Sequence, residues 1–147
     1  MSDTCNNPHT RAIAQFISQL TYEAIPDDVI ARIKLLILDS LGCALYGSAL
    51  EWSQILRATL AGLDTTNTCR VWGTPERLSA PHAALVNGTL IQSFELDDVH
   101  RQGVLHVGAV TLPPVIAVTE LRPGLSGRDF LRSAVAGYEI GPRVGKC

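Results

Sequence analysis

Residues 93–106 read SFELDDVHRQGVLH and place Glu95, Asp97, Asp98, His100 and His106 within one short stretch. The flanks are apolar: Ile91, Phe94 and Leu96 lead in, and Val104, Leu105, Val107, Ala109 and Val110 lead out. Burial disfavours the charged form of a titratable group, and like charges held together push their pKa values apart. Carboxylates and imidazoles set in apolar sequence therefore make a candidate acid–base or ligand site. Imidazole suits proton transfer because its unperturbed pKa of ~6.5 lets it give and take a proton near neutrality. The competing reading is a solvated loop between two core helices, whose charges do no chemistry.

The local pattern suggests roles. Glu95 and Asp98 are three apart and share one face if the preceding helix continues through them. Asp97 then points elsewhere and is the structural carboxylate of the group. Three carboxylates near a helix C-terminus oppose its dipole, and His100, Arg101 and His106 stand ready to compensate. Gly103 is where such a helix breaks. A metal reading takes Glu95, Asp98, His100 and His106 as ligands for zinc, manganese or iron, but their spacing matches no familiar metal motif.

Six helical segments must position this stretch. Residues 10–20 form the first, with Ile13, Phe16, Ile17 and Leu20 at helical spacing and Thr10 as N-cap. Pro26 suits the first turn of the second, with Asp27 and Asp28 set against the N-terminal dipole. Ile30, Ile33, Ile37, Leu41 and Ala44 mark one face of it, and Leu35, Leu36 and Leu38 make its middle apolar nearly all round. That pattern predicts a central, buried helix in which Asp39 needs a hydrogen-bond partner. Residues 53–63 form a third helix with Ile55, Leu56, Leu60 and Leu63 inward, and residues 69–72 suit an extended segment. Ser79 caps a fourth helix that carries Pro81 in its first turn and runs through Leu85 to Ile91. His82 reads as a surface residue. Pro113 and Pro114 require the next helix to start or kink there. Residues 126–129, SGRD, have the form of a capping box for the last.

With no strand alternation and no internal repeat, the pattern is that of an all-α helical bundle. The chain has 147 residues and a net charge of −2, with no basic run, which excludes a nucleic-acid track. Cys5, Cys43, Cys69 and Cys147 are scattered and match no zinc or iron–sulfur spacing, as expected in a reducing compartment. The most apolar run, residues 35–45, is too short to span a bilayer, and no signal peptide is evident at the N-terminus. The expectation is a cytoplasmic chain. Hydrophobic residues make up 46% and charged residues 18%, which suggests a partner surface or a missing remainder of the fold.

Three stretches in order carry a family resemblance: residues 33–47 (IKLLILDSLGCALYG), 83–106 (AALVNGTLIQSFELDDVHRQGVLH) and 126–141 (SGRDFLRSAVAGYEIG). Together they make the chain resemble the N-terminal part of the MmgE/PrpD family, which includes 2-methylcitrate dehydratase-like lyases and some isomerases. The resemblance implies that residues 1–147 are the first part of a large all-α domain, with the rest of that domain and a smaller α/β domain absent. It implies a homodimer, no cofactor and no metal. The implied substrate is a small polycarboxylate that undergoes dehydration, decarboxylation or epimerisation by proton transfer beside a carboxylate. His106, Glu95 and Asp98 are then the expected catalytic residues, and His100, Asp97 and Arg101 the expected substrate-binding ones. Glu95 stands where many members have Asp, Val99 where a threonine is usual, and Val107 where the histidine is usually followed by proline. The family's lysines and second histidine lie beyond Cys147, so this chain alone is expected to be inactive. The alternatives are a non-catalytic helical dimerisation module and, less favoured, a metal-dependent lyase or hydrolase.

Overall fold

A computed structural model describes residues 7–146. Six α-helices account for most of them: α1 (Pro8–Gln19), α2 (Asp27–Gly47), α3 (Glu51–Leu63), α4 (Ala80–Gln92), α5 (Val107–Leu121) and α6 (Gly127–Val144). Between α3 and α4 a minimal antiparallel hairpin pairs β1 (Cys69–Arg70) with β2 (Arg77–Leu78). No helix among the described residues is long and apolar enough to cross a membrane.

The helix boundaries follow local chemistry. Asn7, rather than Thr10, caps α1, its side-chain oxygen accepting from the N–H groups of His9 and Thr10. Ser126 and Asp129 form the capping box read from the sequence. The Asp129 N–H donates to Ser126 Oγ, and the Ser126 N–H donates to Asp129 Oδ2. The start of α4 is tied down from a distance: Asp64, just beyond α3, accepts from the N–H groups of Thr66 and Ser79 and lies 2.8 Å from His82 Nδ1. Hydrogen bonding holds the Asp64 carboxyl well below the usual carboxylate range, foremost from the Ser79 side chain and then from the Thr66 N–H. His82 is thus part of a staple and not a bare surface residue.

α2 departs from its expected burial, and α5 does not begin where its prolines suggested. α2 is buried on one face only, through Ile30, Ile33, Ser40, Cys43, Ala44 and Gly47. Leu35, Leu38, Leu45 and Tyr46 are exposed, and Asp39 lies on that open side. The all-round apolar middle marks a helix with one uncovered face. α3 behaves alike, burying Ser53 and Leu60 and leaving Ile55 and Leu63 exposed, and Leu85 of α4 is exposed as well. α5 does not start at its prolines: it begins at Val107 and carries Pro113 and Pro114 inside. Proline at position 113 has no N–H to offer the carbonyl of Ala109. Gly88 of α4 lies against that carbonyl, where a Cβ would come within 2.7 Å of the oxygen. The missing hydrogen bond and the missing side chain meet at one helix crossing, so α4 and α5 pack closely there.

The core has two parts. One gathers Cys43, Ala44, Leu60, Val71, Leu78, Val86, Leu90 and Ile91 around α4, and the other gathers Ile25, Ile30, Ile33, Leu112, Ala134 and Val135 between α2, α5 and α6. The contact of α2 with α4 depends on Gly47, where a Cβ would fall 2.0 Å from the Leu90 carbonyl oxygen. Gly42, one turn earlier, has no atom within 4 Å of such a Cβ. Gly47→Ala is therefore expected to cost about 1–3 kcal/mol through forced separation of the helices. Gly42→Ala is expected to stabilise by about 0.5–1 kcal/mol through helix propensity alone. Urea unfolding midpoints of the two variants check both signs.

Candidate functional site

α4 stops at Gln92, and Ser93 closes it with its hydroxyl on the Leu90 carbonyl. Glu95 has a φ of 59°, a left-handed conformation incompatible with continuing the helix. Glu95 and Asp98 consequently do not share a helix face, and the chain crosses to α5 as an irregular loop. His106 is the N-cap residue of α5.

Within this loop the expected site residues separate into groups. Asp97, Glu95 and His106 come together. The Asp97 side chain is fully buried, with Oδ1 3.1 Å from His106 Nδ1. Across the ring, His106 Nε2 is 3.6 Å from Glu95 Oε2. The Glu95 side chain is 71% exposed, against 26% for His106, so the imidazole stands between a buried carboxylate and a solvent-facing one. Glu95 also accepts from the Gln92 side-chain amide. With Nδ1–H donating to Asp97, the opposite nitrogen faces the open side.

Asp98 is turned away from this group. Its Oδ1 accepts from the Gly108 N–H at 3.1 Å and from the Tyr138 hydroxyl at 3.2 Å. His100 is a loop clamp: its backbone pairs with Leu105, and its Nδ1 accepts from the Gly103 N–H at 3.0 Å. Arg101 is exposed on the turn between them. Val104, at the tip of that turn, combines a φ of 46° with 85% exposure. The four-ligand set of Glu95, Asp98, His100 and His106 is not assembled, and among the described residues no three His, Cys, Asp or Glu side chains are grouped to hold a metal ion.

The electrostatics follow from burial. Desolvation pushes the Asp97 carboxyl above the usual carboxylate range, and the His106 hydrogen bond opposes that shift without cancelling it. Asp98 is raised for the same reason, against the pull of Gly108 and Tyr138. Tyr138 is raised by burial and then by the Asp98 charge. Cys43, buried behind the loop, is raised by burial and by Asp39, Asp97 and Asp98. One oxygen of Asp97, Oδ2, is buried without a hydrogen-bond partner, a cost to folding that is greatest for the ionised form.

Sequence reasoning gives Asp97 a bracing role and misses its contact with His106. It also misses Tyr138, which reads only as a position in the last helix. A carboxylate nine residues before a histidine carries no helical periodicity, so no spacing rule could pair them. The tyrosine is separated from Asp98 by 40 residues.

A buried carboxylate thus holds an imidazole at a helix start in a mostly helical domain. The MmgE/PrpD N-terminal domain matches residues 11–147, and the chain belongs to the MmgE/PrpD family. It is 37% identical over 141 residues to cis-aconitate decarboxylase of Aspergillus terreus, covering 93% of this chain and 29% of that protein. It is 34% identical over 139 residues to cis-aconitate decarboxylase of Homo sapiens, covering 92% and 29%. The Mus musculus cis-aconitate decarboxylase is 32% identical over 139 residues, covering 92% and 28%. The chain thus spans less than a third of the length of these relatives.

Because Asp97 titrates above its ordinary value in the folded protein, its burial costs least when it is protonated. The sign follows by linkage: the folded state binds more protons, so this contribution to stability is full at low pH and is lost as pH rises above the ordinary carboxylate range. Asp97→Asn is expected to remove that loss. The variant should be more stable than wild type at pH 7, with the difference shrinking towards pH 4, as read from urea unfolding across pH.

Proposed function

We propose that the chain forms the proton-transfer half-site of a lyase that acts on a small polycarboxylate, with decarboxylation of cis-aconitate as the reaction. The observation that carries this reading is the placement of His106 at the start of α5, between buried Asp97 and exposed Glu95. The three cis-aconitate decarboxylase relatives support the reaction class.

The chemistry follows from the geometry. Decarboxylation breaks the bond between a carbon and its carboxylate, releases carbon dioxide and leaves an electron pair on the carbon skeleton. A proton must then be delivered to carbon. His106 supplies it from Nε2, and Asp97 fixes the ring through Nδ1 and stabilises the imidazolium before transfer, as a buried carboxylate does for a catalytic histidine elsewhere. The positive end of the α5 dipole lies beside His106 and favours a substrate carboxylate at the same place. Glu95, on the solvent side, relays a proton from water back to Nε2 after the transfer. His100 acts through the loop, by clamping the turn that delivers His106. Arg101 is the cation nearest in sequence for a further substrate carboxylate.

The same proposal makes residues 1–147 the first part of a larger helical domain, in a protein that pairs as a homodimer in the cytoplasm. The uncovered apolar faces of α2 and α3, with Leu38, Leu45, Tyr46, Trp52 and Ile55, support this reading, because exposed surfaces of this kind mark contact sites. Catalytic groups facing His106 from the rest of the protein complete the site.

In the complete protein, His106→Ala is expected to lower kcat for cis-aconitate by about 10²–10⁴-fold, the usual worth of a positioned acid–base group. Circular dichroism should remain that of wild type. Turnover near the wild-type rate in a folded His106→Ala protein refutes the assignment.

A further inference from the structure

We propose that Tyr138 and Asp98 are positioning residues for His106, acting through the first turn of α5; the inference rests on His106 being the proton-transfer group. An N-cap residue ordinarily spends its side chain on the free N–H groups of the first turn. His106 makes no such bond. Asp98 takes over the task from the preceding loop, accepting from the N–H of Gly108, two residues into the helix. That substitution leaves the imidazole free for Asp97 and Glu95.

The brace reaches further. Tyr138 of α6 donates its hydroxyl to the same Asp98 oxygen, which ties the loop and the start of α5 to α6. Gly108 sits at the centre with no spare room. A Cβ there would lie 2.4 Å from Asp98 Oδ1, 2.4 Å from Ser40 Oγ and 2.9 Å from the Tyr138 hydroxyl. Ser40 is fully buried on α2, so side chains of α2, α6 and the loop converge on one glycine of α5. His106 is two residues from that point. A shift of the first turn moves the imidazole against both of its carboxylates, and misplacement by ~1 Å can cost ~10²-fold in rate. Asp98 is needed here as an acceptor, and its negative charge is not.

The experiment uses the complete protein and cis-aconitate. Tyr138→Phe removes only the hydroxyl and is expected to lower kcat about 10-fold or more with KM within roughly 2-fold, the pattern of a lost transition-state alignment. Asp98→Ala is expected to lose at least as much. Asp98→Asn keeps an oxygen that can accept from Gly108 and Tyr138, and is expected to recover most of the Asp98→Ala loss. A folded Tyr138→Phe protein with wild-type kcat overturns the proposal. So does an Asp98→Asn protein as inactive as Asp98→Ala, which would make Asp98 a base. Should Tyr138→Phe fail to fold, the two Asp98 variants decide alone. An active His106→Ala protein defeats the underlying site; an inactive one beside a normal Tyr138→Phe protein defeats only this inference.

Discussion

The hydrogen bond from the Gly108 N–H to Asp98 is the constraint on which the arrangement around His106 rests. A helix start leaves N–H groups without partners, and a buried one cannot leave them so. In α5 the residue at the cap is a histidine whose ring is engaged elsewhere. The acceptor has to arrive from another segment, and only a loop passing under the helix start can bring it. The left-handed turn at Glu95 sends the chain on that path. It also separates adjacent carboxylates: Asp97 goes to the imidazole and Asp98 to the backbone.

Burial explains why both carboxylates are costly and why both persist. Each is raised by desolvation, and each is drawn back by a donor built for it: His106 for Asp97, and Gly108 with Tyr138 for Asp98. A buried charge with its partners in place adds little net stability, because the attraction is spent on offsetting lost hydration. Removing one donor is the expensive case, since the charge stays behind in a poorly solvated place. The stability of this region and its capacity to hold two carboxylates out of water therefore pull in opposite directions.

Much of the fold was legible in the sequence because it is written locally. The six helices follow from periodicity, and the Ser126–Asp129 box caps α6 as its spacing implies. The errors have a common origin. Leu35 and Leu38 on α2 signal contact with something, but periodicity cannot say whether that contact lies within these residues. The prolines of α5 forbid hydrogen bonds that the helix forgoes, since Gly88 lets α4 approach the freed carbonyl. At the site, composition singled out the stretch, within which the structure brings His106 together with Asp97 and Glu95. The pairing of Asp97 with His106, and of Asp98 with Tyr138, depends on a loop path and a helix crossing that no short-range pattern records.

The loop has two sides with different freedoms. Its inner side is fixed by Asp97, Asp98 and the glycine at 108, where even one added carbon collides. Its outer side carries Leu96, Val99 and Val104, all exposed. Drift at those three positions can alter the face the loop presents to solvent without disturbing the contacts of Asp97 and Asp98. Sequence change in this loop is thus free to gather on its outer side while the inner contacts stay put.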